Sequence, residues 1–136
     1  MATPTKARSR LRVVLVDDQP TILRMVRRIL SEYPHLEVVG EAADGAEAVS
    51  MVALLKPDVV VLNVMMPKMS GFEAARLIHA QLPSVSIVIL STHKDAQFIA
   101  AARESGANGY VEKQSAGTEL VNAIDHTASG KEFFLH

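Results

Sequence analysis

Cysteine is absent from the 136 residues, which excludes disulfides and thiol chemistry and fits a reducing compartment. No apolar run approaches the ~18 residues of a membrane span, and the opening MATPTKARSR lacks the apolar core of a secretion signal. A cytoplasmic protein with no membrane partner is expected. A strong charge of one sign is also missing. With 14 Lys and Arg against 15 Asp and Glu, the formal net charge is -1, so the chain as a whole offers no electrostatic reason to bind nucleic acid. Lys6, Arg8, Arg10 and Arg12 form a small basic stretch near the amino end, read as a solvated tail before the first strand. Repeats and low-complexity segments are lacking.

What is present is ordinary for one soluble α/β domain: 49% apolar and 21% charged residues in a length that suits a single core. Short β-branched runs alternate with amphipathic stretches of helical length, the pattern of a parallel sheet with crossover helices. Strands are expected at Val13 to Val16, about Glu37 to Ala42, Val59 to Leu62, Ile87 to Leu90 and Gly109 to Glu112. Helices are expected from Pro20 to Glu32, from Ala46 to before Pro57, from Ser70-Gly71 to near Pro83, from Asp95 to Ser105 and from Thr118 to Ser129. The run VVVL at Val59 to Leu62 shows no alternation, as a strand buried on both faces requires. These five rounds predict a doubly wound (βα)5 fold, a five-stranded parallel sheet of order 2-1-3-4-5, flavodoxin/CheY-like. The expected layout is a flexible tail over 1–10, one domain over 11–131, and the start of a linker or C-terminal tail over 132–136.

In such a sheet ligands bind outside the carboxyl ends of the strands, where the strand order reverses between strands one and three. That rim carries Asp17 and Asp18 after strand one, Asn63 at the end of strand three, Ser91 and Thr92 after strand four, and Lys113 after strand five. Two adjacent acids after a buried strand need a cation or a lysine to neutralise them, and oxygen ligands suit Mg²⁺. The plainer alternative is that Asp18 caps the first helix and Asp17 is solvated. A hydroxyl and a lysine suit phosphoryl oxygens, one as a hydrogen-bond donor and one as a full positive charge. Taken singly, Ser91 reads equally as a turn residue and Lys113 as a surface lysine. Their convergence on one rim favours a site.

The runs VVLVDDQP, PDVVVLNVMMPKMSGFEAARLI, ILS at Ile89 to Ser91, and GANGYVEKQSAGTELVNAI resemble the successive signature blocks of response-regulator receiver domains, over about residues 11 to 130. The resemblance implies that Asp17 and Asp18 hold Mg²⁺ together with the residue at position 63 and the Met65 backbone carbonyl. It further implies that Ser91 and Lys113 contact the phosphoryl group and that Ser91 and Tyr110 form the switch pair. Met65 and His93 would flank the phosphate site, against plainer readings as a core methionine and an exposed loop histidine. Lys113 is followed by Gln114 and Ser115 rather than proline, as in NarL/FixJ (LuxR-type) regulators. The implied partners are a histidine kinase and a LuxR-type helix-turn-helix output domain, through which DNA is bound and for which this chain is too short; homodimerisation stays open.

Asn63 stands where the family carries its phosphorylated aspartate. An acyl phosphate needs an anionic oxygen nucleophile, and an amide supplies none. The expected consequences are a receiver that is not an enzyme toward its own phosphorylation, weakened Mg²⁺ binding, and an inactive-like arrangement. A pocket preserved around one exchanged atom reads more readily as a deliberate block than as natural degeneration, and both stay open. A natural pseudo-receiver acting as a phosphorylation-independent interaction module is the alternative. An FMN-binding flavodoxin would need a loop rich in Ser, Thr and Gly after strand one, and DDQP would repel its phosphate. A metal-dependent phosphatase is more distant, since it too wants an aspartate nucleophile.

Overall fold

A computed structural model describes residues 10–134. Strand β1 (Leu11–Val16) is followed by α1 (Pro20–Ser31), β2 (Leu36–Ala42), α2 (Gly45–Leu55), β3 (Val59–Leu62), α3 (Gly71–Gln81), β4 (Ser86–Ser91), α4 (Ala96–Glu104), β5 (Gly109–Glu112) and α5 (Ala116–Ala128). A 3-10 turn over Lys113–Ser115 leads into α5, and a two-residue strand β6 (Phe133–Phe134) closes the series. The strands lie in the order β2-β1-β3-β4-β5-β6, and every pair is parallel. The doubly wound α/β fold is as expected, and the sheet continues one strand further. Among the described residues no helix is long and apolar enough to cross a membrane.

Alternation along the strands divides the core into two layers. Val13, Leu15, Val61 and Leu90 face α1 and α5, while Val14, Val60, Leu62 and Ile89 face α2, α3 and α4. Every residue of β3 is buried, as its unbroken apolar run requires. Each such Val, Leu or Ile side chain contributes about 1.5–3 kcal/mol of hydrophobic burial.

The helix ends follow from local chemistry. Pro20 opens α1 in its first turn. Asp44 Oδ1 accepts from the Glu47 N–H at 2.8 Å, capping α2, and Glu47 Oε1 accepts from the N–H of Ala43, just before the cap, at 2.8 Å. The α2 C-cap, Lys56, takes a left-handed φ of 47° just before Pro57. Helix α5 starts at Ala116, two residues before the expected Thr118.

The basic stretch divides. Lys6 and Arg8 lie outside the described residues, as does the expected tail up to residue 9, and Arg10 is exposed. Arg12 belongs to the fold rather than to a tail. Its guanidinium donates to the Leu55 and Lys56 carbonyls at 2.8 and 3.0 Å, satisfying the carboxyl end of α2.

The sixth strand covers the edge of β5. Phe133 pairs with Gly109 and Phe134 with Tyr110, the Phe133 N–H donates to the Asn108 carbonyl at 3.0 Å, and the two rings pack on opposite faces of the sheet. Arg103 fastens the segment from outside, bonding Glu132 at 2.9 Å and lying 4.0 Å over the Phe134 ring. Residues 133 and 134, which fall in the segment expected to start a linker or C-terminal tail, therefore pack on the sheet. Two residues are too few to show strand periodicity, so this pairing has no sequence signal of its own.

Candidate functional site

The rim expected to carry the site is formed by the carboxyl ends of β1, β3, β4 and β5. Asp17 follows β1 and is 3% exposed, whereas its neighbour Asp18 is exposed. Burial of a carboxylate requires partners, and Asp17 has them. Its Oδ2 lies 3.0 Å from Lys113 Nζ, and its Oδ1 accepts from the Gln19 N–H at 3.0 Å. Lys113 is itself nearly buried, so this ion pair sits apart from solvent. Asp18 does not cap α1: the N-cap is Gln19, which makes no side-chain capping bond.

Asn63 directly follows β3 and is buried. Its Nδ2 donates to the Met65 carbonyl at 3.0 Å and lies 3.4 Å from Asp18 Oδ1 and 3.5 Å from Asp17 Oδ1. Only the first distance is that of a full hydrogen bond; the other two are long and shared. The loop after Asn63 is held down by α3. The Gly71 N–H donates to the Val64 carbonyl at 2.7 Å, and a Cβ at Gly71 would stand 2.0 Å from the Asn63 carbonyl oxygen. Only glycine permits that approach.

A second group lies on the β4–β5 side. Ser91 is 1% exposed and its Oγ accepts from the His93 N–H at 3.1 Å. The Tyr110 hydroxyl donates to the His93 carbonyl at 2.7 Å. Burial of the Tyr110 ring raises its phenol pKa above the ordinary 10.0, with Ser91 pulling the other way and Asp95 and Glu112 adding to the rise. The His93 ring stacks on Phe98 at 4.1 Å, and Phe98 in turn meets Phe72 at 6.1 Å.

The structure thus brings Asp17, Asp18, Asn63, the Met65 carbonyl and Lys113 into one cluster, and joins Ser91 to Tyr110 through the backbone of His93. Two expectations change. Met65 is no core residue, being 64% exposed beside a cleft that Asp18, Met66, Pro67 and Ser70 also line. His93 is not a free loop histidine, because Phe98 covers one face of its ring. The Tyr110 ring is 1% exposed and its hydroxyl is satisfied by the His93 carbonyl. Sequence reasoning missed the Gln19 N–H on Asp17 and the His93–Phe98 stack. Neither has a residue-type signature, although Ser70-Gly71, read as the start of a helix, stands at the close approach.

An acid pair after β1, a polar acceptor position after β3, a hydroxyl at the end of β4 and a lysine after β5 of a doubly wound sheet define the receiver class. The chain belongs to the response-regulator receiver family: residues 13–125 match the Response regulator receiver domain. It is similar to a solved LuxR-family two-component response regulator from Aurantimonas sp. SI85-9A1, with TM-score 0.88 and 38% identity, covering 92% of this chain and 89% of that one. The signal receiver domain of the putative response regulator NarL from Mycobacterium tuberculosis gives TM-score 0.86 and 34% identity over 90% of this chain and 99% of that one. Among curated relatives, the uncharacterized transcriptional regulatory protein YxjL of Bacillus subtilis (strain 168) is 36% identical over 93% of this chain but only 58% of its own length. The chain spans little more than half the length of such relatives.

Proposed function

We propose that this receiver domain does not accept a phosphoryl group, because the acceptor position of its pocket is held by Asn63. One observation carries the reading: the side-chain nitrogen of Asn63 faces the Asp17 and Asp18 carboxylates and the Met65 carbonyl, so the pocket offers a hydrogen-bond donor where a nucleophilic oxygen is needed. The domain is then no enzyme toward its own phosphorylation, while Ser91 and Lys113 stand at the positions that would follow and bind phosphoryl oxygens. The three oxygens that converge on Nδ2 are of the hard kind Mg²⁺ prefers. Asp17, Asp18 and the Met65 carbonyl would hold the ion, and Asn63 would have to turn its own oxygen toward it, which weakens binding.

The partners that fit are a histidine kinase and, in a longer protein, a LuxR-type helix-turn-helix output domain that binds DNA. The half-length match to transcriptional regulators supports that reading, and a cytoplasmic location follows from it. Incubation with acetyl phosphate and Mg²⁺, followed by intact-protein mass measurement, is the test. The Asn63 protein should gain nothing and an Asn63→Asp version should gain one phosphoryl group; a stable acyl phosphate on the Asn63 protein refutes the proposal.

A second reading, an interaction module that works without phosphorylation, is favoured by the buried Tyr110. In the family's logic a phosphoryl group draws the hydroxyl and then the aromatic inward, and here the ring is inward with Asn63 in place. Comparing the Tyr110 ring resonances with those of Asn63→Asp, with and without beryllofluoride, separates the two readings. Resemblance of the Asn63 protein to the beryllofluoride form supports the module. Resemblance to the free aspartate form supports a blocked, unswitched receiver.

A further inference from the structure

The contacts of Asn63 reach beyond the loss of a nucleophile. Three oxygens from two separate loops, Asp17 Oδ1, Asp18 Oδ1 and the Met65 carbonyl, point at a single nitrogen at 3.5, 3.4 and 3.0 Å. Such convergence is repulsive unless something positive lies at its centre. Lys113 does not fill that role for all three. Its ammonium contacts the other Asp17 oxygen, Oδ2, and Asp18 has no salt bridge among those found for the described residues. What lies at the centre is the Asn63 NH2, whose two protons carry partial positive charge. The nitrogen makes a good hydrogen bond to the Met65 carbonyl, and its second proton remains for the two carboxylates at longer range. Turning the amide over would set its oxygen against three others, so the network fixes its orientation.

We propose that the Asn63 carboxamide takes the place of the divalent cation as the structural tie of this pocket, joining the Asp17–Gln19 loop to the Val64–Met66 loop without metal. This rests on reading the pocket as a receiver acceptor site. The tie is covalently anchored and costs no metal, and it competes with metal for the same oxygens. An ion can enter only if the amide reverses, giving up its bonds to Met65 and the acids before its own oxygen becomes a ligand. The two loops are therefore ordered to the same degree at any Mg²⁺ concentration. An aspartate at position 63 would reverse this behaviour. It would place a third negative group in the cluster against the single ammonium of Lys113, and the loops would need the cation to close.

The test is backbone amide hydrogen exchange at Gln19 and at Val64 to Met66 in the Asn63 protein, Asn63→Asp and Asn63→Ala, each in chelator and in excess Mg²⁺, with thermal melts alongside. The Asn63 protein should be equally protected in both conditions. Asn63→Asp should exchange roughly tenfold faster in chelator, the scale of one charge-assisted hydrogen bond, and recover in Mg²⁺. Asn63→Ala, which has no donor, should exchange faster than the Asn63 protein in chelator. The proposal is overturned if Mg²⁺ protects the Asn63 protein as much as it protects Asn63→Asp, or if Asn63→Ala is as protected in chelator as the Asn63 protein. Mass measurement of Asn63→Asp after acetyl phosphate tells the two levels apart. With a phosphoryl group gained, a failed exchange test sinks the amide tie alone. With neither Mg²⁺ binding nor phosphoryl gain, the receiver-site reading falls and the tie with it.

Discussion

Replacing Gly71 by alanine would test whether the close packing of α3 against the end of β3 shapes the acceptor pocket. A Cβ at residue 71 would stand 2.0 Å from the Asn63 carbonyl oxygen and 2.8 Å from both the Asn63 carbonyl carbon and Val64 Cα, against the 3.4 Å at which ordinary contact begins. All three neighbours are backbone, so no rotamer change relieves the clash and the helix must move by more than an ångström. Overpacking of this sort costs about 1–3 kcal/mol, and the shift would stretch the 2.7 Å bond from the Gly71 N–H to the Val64 carbonyl, adding about 1 kcal/mol. A loss of about 2–4 kcal/mol is a large part of the ~5–15 kcal/mol that holds a domain together. For a chain of this size it corresponds to a fall of roughly 6–16 °C in melting temperature. Gly117→Ala supplies the control, because nothing lies within 4 Å of its Cβ position in the first turn of α5, and there the change should be neutral or stabilising by up to about 1 kcal/mol. Thermal denaturation followed by circular dichroism measures both. A Gly71→Ala melting temperature within ~4 °C of the parent, about 1 kcal/mol on this scale, would refute the reasoning.

Three further outcomes are expected. Lys113→Met strands the Asp17 carboxylate, and since both groups of this pair are nearly buried the loss should be about 3 kcal/mol, with Asp17→Asn in the same chain restoring much of it; a double-mutant cycle by urea denaturation checks the coupling, and additive losses would contradict it. Tyr110→Phe should cost about 1 kcal/mol at neutral pH for the bond to His93. The raised native pKa of Tyr110 means that its stabilisation is complete below the ordinary phenol value and fades as pH rises through the native one, so the parent should lose an alkaline component of stability that Tyr110→Phe lacks. Arg103→Ala removes both the Glu132 bond and the ring contact with Phe134, and should speed amide exchange of Phe133 while shifting the melting temperature little, because the ion pair is exposed.

The fold was legible because its signals are long or repeated. Unalternating β3, the Asp44-Gly45 cap and the Pro20 helix start each state a local preference, and the preferences agree with one another. The rim was legible for a different reason: a parallel sheet sends every strand end to the same side, so Asp17, Asn63, Ser91 and Lys113 follow from strand boundaries alone. What stayed hidden depends on contacts between elements. β6 is two residues held by β5 and by an arginine on α4. Met65 has the composition of a core residue and is turned outward by the loop in which it sits. His93 acquires its role from Phe98, five residues further on, and the inward position of Tyr110 depends on a backbone carbonyl that carries no residue identity.

The charge balance of the pocket connects these observations. Asp17 and Asp18 present two carboxylates, and Lys113 neutralises the buried one directly, leaving Asp18, at the exposed edge, to the amide of Asn63 and to water. With asparagine at position 63 the cluster is therefore close to self-satisfied, and its geometry needs no outside charge. With aspartate it would hold three carboxylates around one ammonium, an arrangement favourable only when a cation, and then a phosphoryl group bound through that cation and Lys113, completes it. On the proposed reading, the same exchange of one oxygen for one NH2 group that removes the nucleophile would also remove the electrostatic imbalance by which such a pocket responds to its ligands. A receiver built this way, on that reading, keeps its fold, its rim and its buried tyrosine, and what it would lose is the capacity for those parts to be driven by charge.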